Sequence, residues 1–407
     1  MRKSRPEGRK SMKSKYFITF ITCVSAIAAV FLLTRFFRAD DEKKIKAGFI
    51  YVGDASTGYT GNFIDAQLEL ENVYSDNVQT LAMYNVAEGT ESEYLQQLVD
   101  AGCDIIFSTS YNYGITTKEF AMRYPDIEFC MATCDNANEE PYLDNYHTFM
   151  GAIYEGRYTA GVAAGMKLKE LIDDGVITKE QAKIGYVGAY PYAEVISGYT
   201  AFLLGVRSIV PDAVMTVKYT YKWNDYLIEK KYAKQLIDEG CVIISQHSDT
   251  VGPAIACEET DVSTPVYLVS YNQSMADIAP TTYITGCKIN WKPYVIGAVG
   301  AVMKGIPIEK AVKGNVVGND IGAGFSEGWV EMLKLNEVIA AKGTREKIEK
   351  VIEGFKRGDI EVFKGDYIGI NVDDPYDLYD LSEGYKENNN SSAPTFKYIL
   401  QDVITIE

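Results

Sequence analysis

Two nine-residue stretches of this chain align without a gap: LVDAGCDII at residues 98–106 and LIDEGCVII at residues 236–244. In each stretch a helix-like run ends at a glycine, Gly102 or Gly240, and a short apolar run follows. Glycine often ends a helix because it adopts the left-handed conformation without strain, and a β-branched apolar run is typical of a buried strand. The two stretches lie 138 residues apart, which predicts that one helix-turn-strand unit occurs twice.

The same pattern continues on both sides of each copy. Short β-branched runs alternate with amphipathic runs as far as residue 132, and the alternation restarts at residue 184. Alternation of this kind predicts parallel strands with helices on both faces of the sheet, and its restart predicts two similar lobes. The predicted strands cover residues 47–52, 80–84, 104–108, 127–132, 184–188, 215–221, 242–245 and 266–270, and the predicted helices cover residues 62–72, 91–100, 114–123, 194–209, 226–238 and 251–258.

The length of the chain agrees with two lobes. It has 407 residues, more than twice the length of a typical domain of ~150 residues. We expect residues 1–44 to form a basic stub and a membrane anchor or signal segment. Residues 45–152 plus roughly 273–305 are predicted to form the N-terminal lobe, and residues 153–272 plus roughly 306–407 the C-terminal lobe.

The first 44 residues differ in charge from the rest. They hold eleven Lys or Arg and four Asp or Glu, a net of +7, which leaves −23 for the other 363 residues of a chain whose formal charge is −16. An acidic body repels phosphate backbones, so we expect no nucleic-acid partner.

A predicted membrane segment follows the basic residues. Residues 16–34 are uncharged and predominantly apolar, and as a helix they are long enough to cross a hydrocarbon core of ~30 Å. Because basic residues stay on the cytoplasmic side, we expect the acidic body to be extracytoplasmic and anchored to the cell membrane. Cleavage at the small-residue triplet Ala26-Ile27-Ala28 is the alternative, whereas the residues before Cys23 form no lipoprotein signal.

Several kinds of site have too few residues of the required type. The chain has two histidines, His147 and His247, and seven cysteines without a CxxC pair, so we expect no metal site and no disulfide scaffold. The loop from Gly53 to Gly58 lacks the Lys-Thr/Ser ending of a P-loop. We therefore expect no cofactor and no catalysis.

Polar and aromatic residues follow the predicted strands. Ligands of open α/β sheets bind beyond the carboxyl ends of the strands, so two facing lobes would form one cleft. Aromatic rings there suit a flat, partly polar ligand. Asp249 and Asn272 can bind the edge of a heterocycle, whereas His247 fits either ligand contact or a core histidine bonded to a backbone carbonyl. The candidate ligand-binding residues are Tyr59, Thr60, Ser110, Tyr111, Tyr190, Trp223, His247, Asp249, Asn272 and Trp291.

Ordered motifs from about residue 46 to about residue 367 resemble those of the basic membrane protein family of ABC-transporter substrate-binding proteins, which includes purine-base and purine-nucleoside receptors. The motifs lie at residues 48–53, 154–158, 160–161, 183–187, 194–198, 201–202, 204–207, 246–249, 270–272, 290–291 and 293–294. Each motif alone is weak, and their common order makes the resemblance specific.

The resemblance implies an α/β type I periplasmic-binding-protein fold, in which two Rossmann-like lobes with parallel sheets meet at a hinge and are joined by three crossovers. It also implies that aromatic side chains clamp a purine. Tyr59 stands where many relatives have Trp, and Trp223 lies in a loop where relatives carry an aromatic residue. Asp249 and Asn272 match polar positions of the family's cleft.

These features predict the extracytoplasmic substrate-binding component of an ABC importer. It would bind a purine nucleoside or purine base in the cleft and work with permease and ATPase subunits. A membrane-tethered sensor that uses the same ligand-binding fold is the alternative, because the basic stub and an uncleaved anchor are compatible with it.

Overall fold

The computed structural model describes residues 44–407, so the predicted membrane segment, its cleavage alternative and Cys23 lie outside the described residues. Within the described part, residues Ile45–Glu407 form one unit. No helix of this part combines the length and the apolar character needed to span a bilayer. Its six cysteines are buried free thiols.

The short apolar runs of the sequence form strands whose side chains are mostly buried, as expected for sheets covered on both faces. Between residues 44 and 407 the strands are β1 (Ile45–Ile50), β2 (Val78–Met83), β3 (Ile105–Ser108), β4 (Glu128–Ala132), β5 (Tyr146–Gly151), β6 (Lys183–Gly188), β7 (Val214–Tyr219), β8 (Ile243–His247), β9 (Tyr267–Tyr271), β10 (Tyr283–Ile289), β11 (Asn315–Val317), β12 (Asp320–Ala323), β13 (Val330–Met332), β14 (Ile368–Asn371), β15 (Leu378–Asp380), β16 (Tyr398–Leu400) and β17 (Ile404–Ile406).

Amphipathic runs form the helices that cover the sheets. They are α1 (Gly58–Tyr74), α2 (Glu91–Asp100), α3 (Gly114–Arg123), α4 (Ile153–Asp173), α5 (Ala193–Arg207), α6 (Tyr226–Asp238), α7 (Gly252–Glu258), α8 (Lys292–Lys304), α9 (Ile308–Ala311) and α10 (Thr344–Lys356). Helices α2, α3 and α6 begin and end at the residues predicted from the sequence.

Two seven-stranded sheets form the framework. The strand order is β11-β12-β5-β4-β3-β1-β2 in the first sheet and β13-β10-β9-β8-β6-β7-β17 in the second. Neighbouring strands are parallel except for the pairs β11–β12 and β10–β13 at one edge of each sheet. The predicted α/β architecture with two parallel-stranded lobes is therefore confirmed.

The internal repeat occupies equivalent places in the two sheets. Its copies end at β3, which lies beside β1, and at β8, which lies beside β6. Gly102 and Gly240 both have left-handed backbones, with φ of +75° and +87°. In each copy the amide after the glycine donates to a carbonyl five residues earlier, Cys103 to Leu98 at 3.1 Å and Cys241 to Leu236 at 3.0 Å. This pattern caps the helix and directs the chain into the strand.

The chain passes three times between the two sheets, after β5, after β10 and after β12. These passages correct the predicted lobe boundaries. Residues 273–305 were assigned to the N-terminal lobe, but β10 belongs to the second sheet. Residues 306–407 were assigned to the C-terminal lobe, but β11 and β12 complete the first sheet. The reason is that β10 and β12 add to edges formed by earlier strands, β9 and β5, and the sequence of a strand does not record which sheet it joins.

Beyond α10 the chain adds a small third sheet with the order β15-β14-β16, in which all pairs are antiparallel. The last strand, β17, then returns to the second sheet and pairs with β7. Phe396, which lies between β15 and β16, is fully buried, and its ring stacks on that of Phe363 at 4.3 Å. The C-terminal segment is therefore packed as part of the core.

Candidate functional site

A narrow cavity with about 30 Å³ of solvent-accessible space lies where the carboxyl ends of the strands of the two sheets face each other. The two sides are in contact here, because Asn62 Nδ2 on α1 donates to the backbone oxygen of Asn272 at 3.1 Å. The cavity is lined by Val52, Tyr59, Ser110, Tyr111, Thr133, Glu194, Trp223, His247, Asp249, Tyr271 and Asn272.

Seven of the ten predicted residues line this cavity, and Thr60, Tyr190 and Trp291 do not. Trp291 is 1% exposed, and its ring stacks on Phe63 at 4.3 Å. It belongs to the core because α8 begins at the next residue and directs the ring beneath α1. Thr60 is also buried, and its hydroxyl lies against the Gly53 turn rather than the cavity.

Tyr59 enters the cavity from the first turn of α1. Its hydroxyl donates a short hydrogen bond to the backbone oxygen of Thr109, after β3. The edges of Phe63 and Trp291 support the ring, with centroids at 5.4 and 6.4 Å. The ring is thus held at a fixed position and presents an aromatic surface.

Trp223 enters from the second sheet, in the loop after β7. Its backbone oxygen accepts a hydrogen bond from the amide of Asp249 at 2.9 Å, so the loops that carry the two residues are joined. Tyr190 stacks on Tyr192 at 5.0 Å and meets the Trp223 ring at 5.3 Å. Tyr190 therefore packs against the Trp223 ring without lining the cavity itself.

Ser110 and Tyr111 follow β3 at the rim of the first sheet. The Ser110 hydroxyl donates to Glu88 at 2.6 Å, which directs it away from the cavity centre. The Tyr111 ring is 44% exposed and meets Tyr192 of the opposite side at 5.9 Å. These rings close one end of the cavity.

Asp249 is half-buried and lines the cavity. Burial, followed by the charges of Glu229 and Glu194, raises its pKa to about 8, while Arg157 acts in the opposite direction. Glu229 is completely buried and accepts hydrogen bonds from the Ser248 hydroxyl and the Thr250 amide. At neutral pH the Asp249 carboxyl is therefore mostly protonated and can both donate and accept a hydrogen bond.

His247 ends β8 and forms part of the cavity wall. Its Nε2 lies 3.4 Å from Glu194 Oε1, so the expected core histidine bonded to a backbone carbonyl is not found. Burial and then the charge of Arg157 lower its pKa to about 4, so the ring is neutral. Arg157 itself is 1% exposed and lies over the ring of Tyr271 at 3.5 Å.

Several polar atoms around the cavity have no hydrogen-bond partner within residues 44–407. They include Asn272 Nδ2 and the Tyr271 hydroxyl. A buried polar group without a partner is costly, and native proteins satisfy nearly all of them. Asn272 is held with a left-handed backbone, at φ of +63°, which turns its side chain into the space between the sheets.

Sequence reasoning missed four lining residues: Val52, Thr133, Glu194 and Tyr271. All four lie at or just after the carboxyl ends of strands, or in the first turn of the following helix, so their position was an available signal. Glu194 gave no chemical signal because a carboxylate in the first helical turn is common for reasons of helix electrostatics alone.

The arrangement presents aromatic rings and hydrogen-bonding side chains that suit binding of a small molecule. Within the described residues there is no cluster of three or more His, Cys, Asp or Glu side chains that could hold a metal ion. Residues 324–328, GFSEG, match the G-x-S-x-G pattern of hydrolases. However, Ser326 is exposed in a 3₁₀ turn between β12 and β13 rather than between a strand and a helix. Neither histidine bonds to it.

Comparisons with known proteins agree with this architecture. The model of the family described as ABC transporter substrate-binding protein PnrA-like matches residues 44–360. A purine-binding protein of Brucella abortus is 30% identical over 331 residues, which cover 80% of this chain and 85% of that protein. A Haloferax volcanii protein that carries the name of an ABC transporter glucose-binding protein is 30% identical over 251 residues, 61% of this chain and 59% of that protein.

The fold also matches solved structures. The crystal structure of a solute-binding protein of an ABC transporter system from Aeropyrum pernix superposes with a TM-score of 0.63 at 15% identity and covers 78% of this chain and 92% of that chain. Proteins of the PnrA-like family are extracytoplasmic and non-enzymatic, and they bind small molecules and work with the permease and ATPase subunits of ABC transporters. The family match over most of the chain shows that the protein belongs to this family of substrate-binding proteins.

Proposed function

We propose that this protein captures a purine base or a purine nucleoside for an ABC importer. The observation that carries the proposal is that two aromatic side chains from opposite sheets, Tyr59 and Trp223, line one cavity together with Asp249 and Asn272. Purines have flat faces that stack on aromatic rings and edges that carry both hydrogen-bond donors and acceptors.

The polar groups of the cavity are of the kind that a purine edge needs. Asn272 Nδ2 has no partner within the described residues, and it can donate to a ring nitrogen. The Asp249 carboxyl, protonated at neutral pH because its pKa is raised to about 8, can donate to one edge atom and accept from the next. A sugar offers hydroxyl groups to such residues but no heteroaromatic edge.

The relatives give two ligand classes to compare. The Brucella abortus relative is named for purine binding, and the Haloferax volcanii relative for glucose binding. The first match spans more of both chains than the second, which favours a purine.

Thermal denaturation of the full-length protein with adenine, hypoxanthine, adenosine, inosine and glucose tests the proposal. A ligand present at ~100 times its dissociation constant adds ~2.7 kcal/mol to the free energy of unfolding, which raises the melting temperature measurably. We expect at least one purine to raise it and glucose to leave it unchanged.

Variants then locate the effect. Trp223→Ala should reduce the shift, because loss of a stacking ring costs ~1–3 kcal/mol of binding energy, whereas Tyr142→Ala, which removes an aromatic ring that is 70% exposed outside the cavity, should leave it unchanged. A shift with glucose and with none of the purines would contradict the proposal.

We also propose that residues 16–34 hold the protein at the cell membrane. The basic residues before this run and the acidic body after it support this orientation. On cell fractionation, the acidic body should be found in the membrane fraction. Protease added to cells stripped of their wall should digest it. Recovery of the body in the cytosol would contradict the proposal.

A further inference from the structure

The ligand cavity adjoins a second chamber that opens to solvent. Tyr111, Thr133 and Glu194 line both spaces, so they form the boundary between them. The outer chamber has about 300 Å³ of solvent-accessible space. Its far wall consists of Val372, Asp373, Ala393, Pro394 and Lys397.

The far wall comes from a part of the chain that the family match does not include. The match ends at residue 360, whereas the wall lies between residues 372 and 397. This chain therefore has a surface beside the cleft that the family pattern does not describe.

Contacts with both large sheets hold this wall in place. On the first sheet, the Ser392 hydroxyl donates to Asp320 Oδ1, at the start of β12, at 2.6 Å. On the second sheet, Arg207 Nε donates to the Tyr367 hydroxyl at 2.9 Å, and β17 pairs with β7. Both Ser392 and Asp320 are buried, so the wall is a packed element and not a loose tail.

The chamber has a mixed polar and apolar lining and carries a negative formal charge. Asp135, Glu194 and Asp373 contribute three carboxylates, and Lys397 contributes one ammonium group, which pairs with Asp373 at 2.8 Å. The formal charge of −2 repels a phosphate group, while carboxylates and the Thr133 hydroxyl can bind hydroxyl groups.

We propose that this outer chamber is a second ligand subsite, which takes a neutral, hydroxyl-bearing substituent of a ligand whose flat ring occupies the inner cavity. The C-terminal segment thereby selects ligands that carry such a substituent and excludes those that carry a phosphate. This inference rests on the proposed purine function, because the inner cavity must hold the ring.

Calorimetric titration of the full-length protein with hypoxanthine, inosine and inosine 5′-monophosphate, and with the matching adenine series, tests the subsite. The wild-type protein should bind the nucleoside at least about tenfold more tightly than the nucleotide, since one lost or repelled polar contact corresponds to about that factor. Val372→Trp should occupy part of the chamber and weaken nucleoside binding about tenfold, while binding of the free base changes less than about twofold.

Two further variants make the test specific. Tyr376→Trp adds bulk in the same segment at a side chain that is 93% exposed and outside the chamber, and it should change neither affinity. Asp373→Lys changes the formal charge of the chamber from −2 to 0 and should narrow the difference in affinity between nucleoside and nucleotide. Because Val372 and Asp373 are exposed, both variants should melt like the wild type.

Equal effects of Val372→Trp on base and nucleoside, or nucleotide binding as tight as nucleoside binding in the wild type, would overturn the subsite while leaving the proposed function intact. Failure of every purine to bind the wild-type protein would overturn both.

Discussion

At the level of single residues, the two histidines lie in opposite electrostatic environments. His147 on β5 contacts the carboxylates of Glu128 at 2.9 Å and Glu309 at 2.5 Å. Burial alone would lower its pKa, but the hydrogen bonds to these carboxylates outweigh burial and raise the pKa to about 9. His247 has no such pair of partners, and burial together with the nearby Arg157 lowers its pKa to about 4.

Proton NMR can test both environments because the chain has only these two histidines. We expect one imidazole to titrate near pH 9 and the other near pH 4, with no midpoint near the ordinary value of about 6.5. Glu309→Gln should lower the upper midpoint, and Arg157→Met should raise the lower one. The stability that the His147 cluster contributes is present below pH 6.5 and is lost as the pH rises through 9. A wild-type midpoint near 6.5 would contradict this arrangement.

Asp249 and Tyr59 are expected to contribute different kinds of binding energy. Asp249→Asn changes the hydrogen-bonding pattern at the cavity, so the loss of affinity, ~1–3 kcal/mol or more, should depend on the donors and acceptors of each purine. The Tyr59 hydroxyl bonds to the backbone of Thr109 and not into the cavity, so Tyr59→Phe should weaken all ligands slightly and alike. Calorimetric titration of both variants against one panel measures this, and equal, ligand-independent losses would show that Asp249 takes no part in recognition.

At the level of elements, the packing of α4 on α5 depends on two glycines. A Cβ at Gly161 would overlap the backbone oxygen of Phe202, and a Cβ at Gly205 would overlap that of Tyr158. The two helices can therefore pack this closely only because Gly161 and Gly205 have no side chain at the contact. This approach brings α4, which follows the first passage between the sheets, against a helix of the second sheet.

Substitution of these glycines should destabilise the protein although alanine is the better helix former. In a helix, Gly→Ala normally stabilises by about 1 kcal/mol, but overpacking at a closed contact costs ~1–3 kcal/mol or more. We expect Gly161→Ala and Gly205→Ala to lower the free energy of unfolding in urea. The matched control is Gly61→Ala. Gly61 lies in α1 with no atom within 4 Å of the added Cβ, so this substitution should stabilise the protein. Equal effects at the three positions would contradict the packing argument.

Elements with a repeated local pattern were predictable, and elements defined by distant contacts were not. The amphipathic run of α6 and the glycine after it fix both ends of that helix, and the same holds for α2. Strands β14 and β16 have four and three residues, too few to show a period, and they exist because they pair with each other. Residues of the site followed the same rule. The position of Tyr59 at a helix start indicates its place in the cavity wall, whereas only the packing beneath α1 shows that the Trp291 ring faces the core.

At the level of the whole molecule, the structure has the two sheets in contact across the cleft. Asn62 on the first side bonds to the backbone of Asn272 on the second, and Tyr111 meets Tyr192 at the rim. Asn62 does not line the ligand cavity, so its bond favours the closed arrangement without contributing a ligand contact. In proteins that close around a ligand, any interaction present only in the closed state adds to the apparent affinity.

Asn62→Ala should therefore weaken every ligand by a similar factor, about three- to tenfold, because one hydrogen bond of the closed state contributes ~0.5–1.5 kcal/mol. The same variant should shift the equilibrium between the open and closed arrangements towards the open one. Spin labels at Glu119 on α3 and Lys234 on α6, both exposed, report the separation of the two sides by double electron–electron resonance in a Cys23→Ser background. We expect inosine to shorten this distance in the wild type, and the variant to need more inosine to reach the same short distance. Two outcomes would show that this bond does not act through closure. One is a distance that does not change at saturating ligand. The other is a loss of affinity in Asn62→Ala that differs from ligand to ligand, as expected for Asp249→Asn.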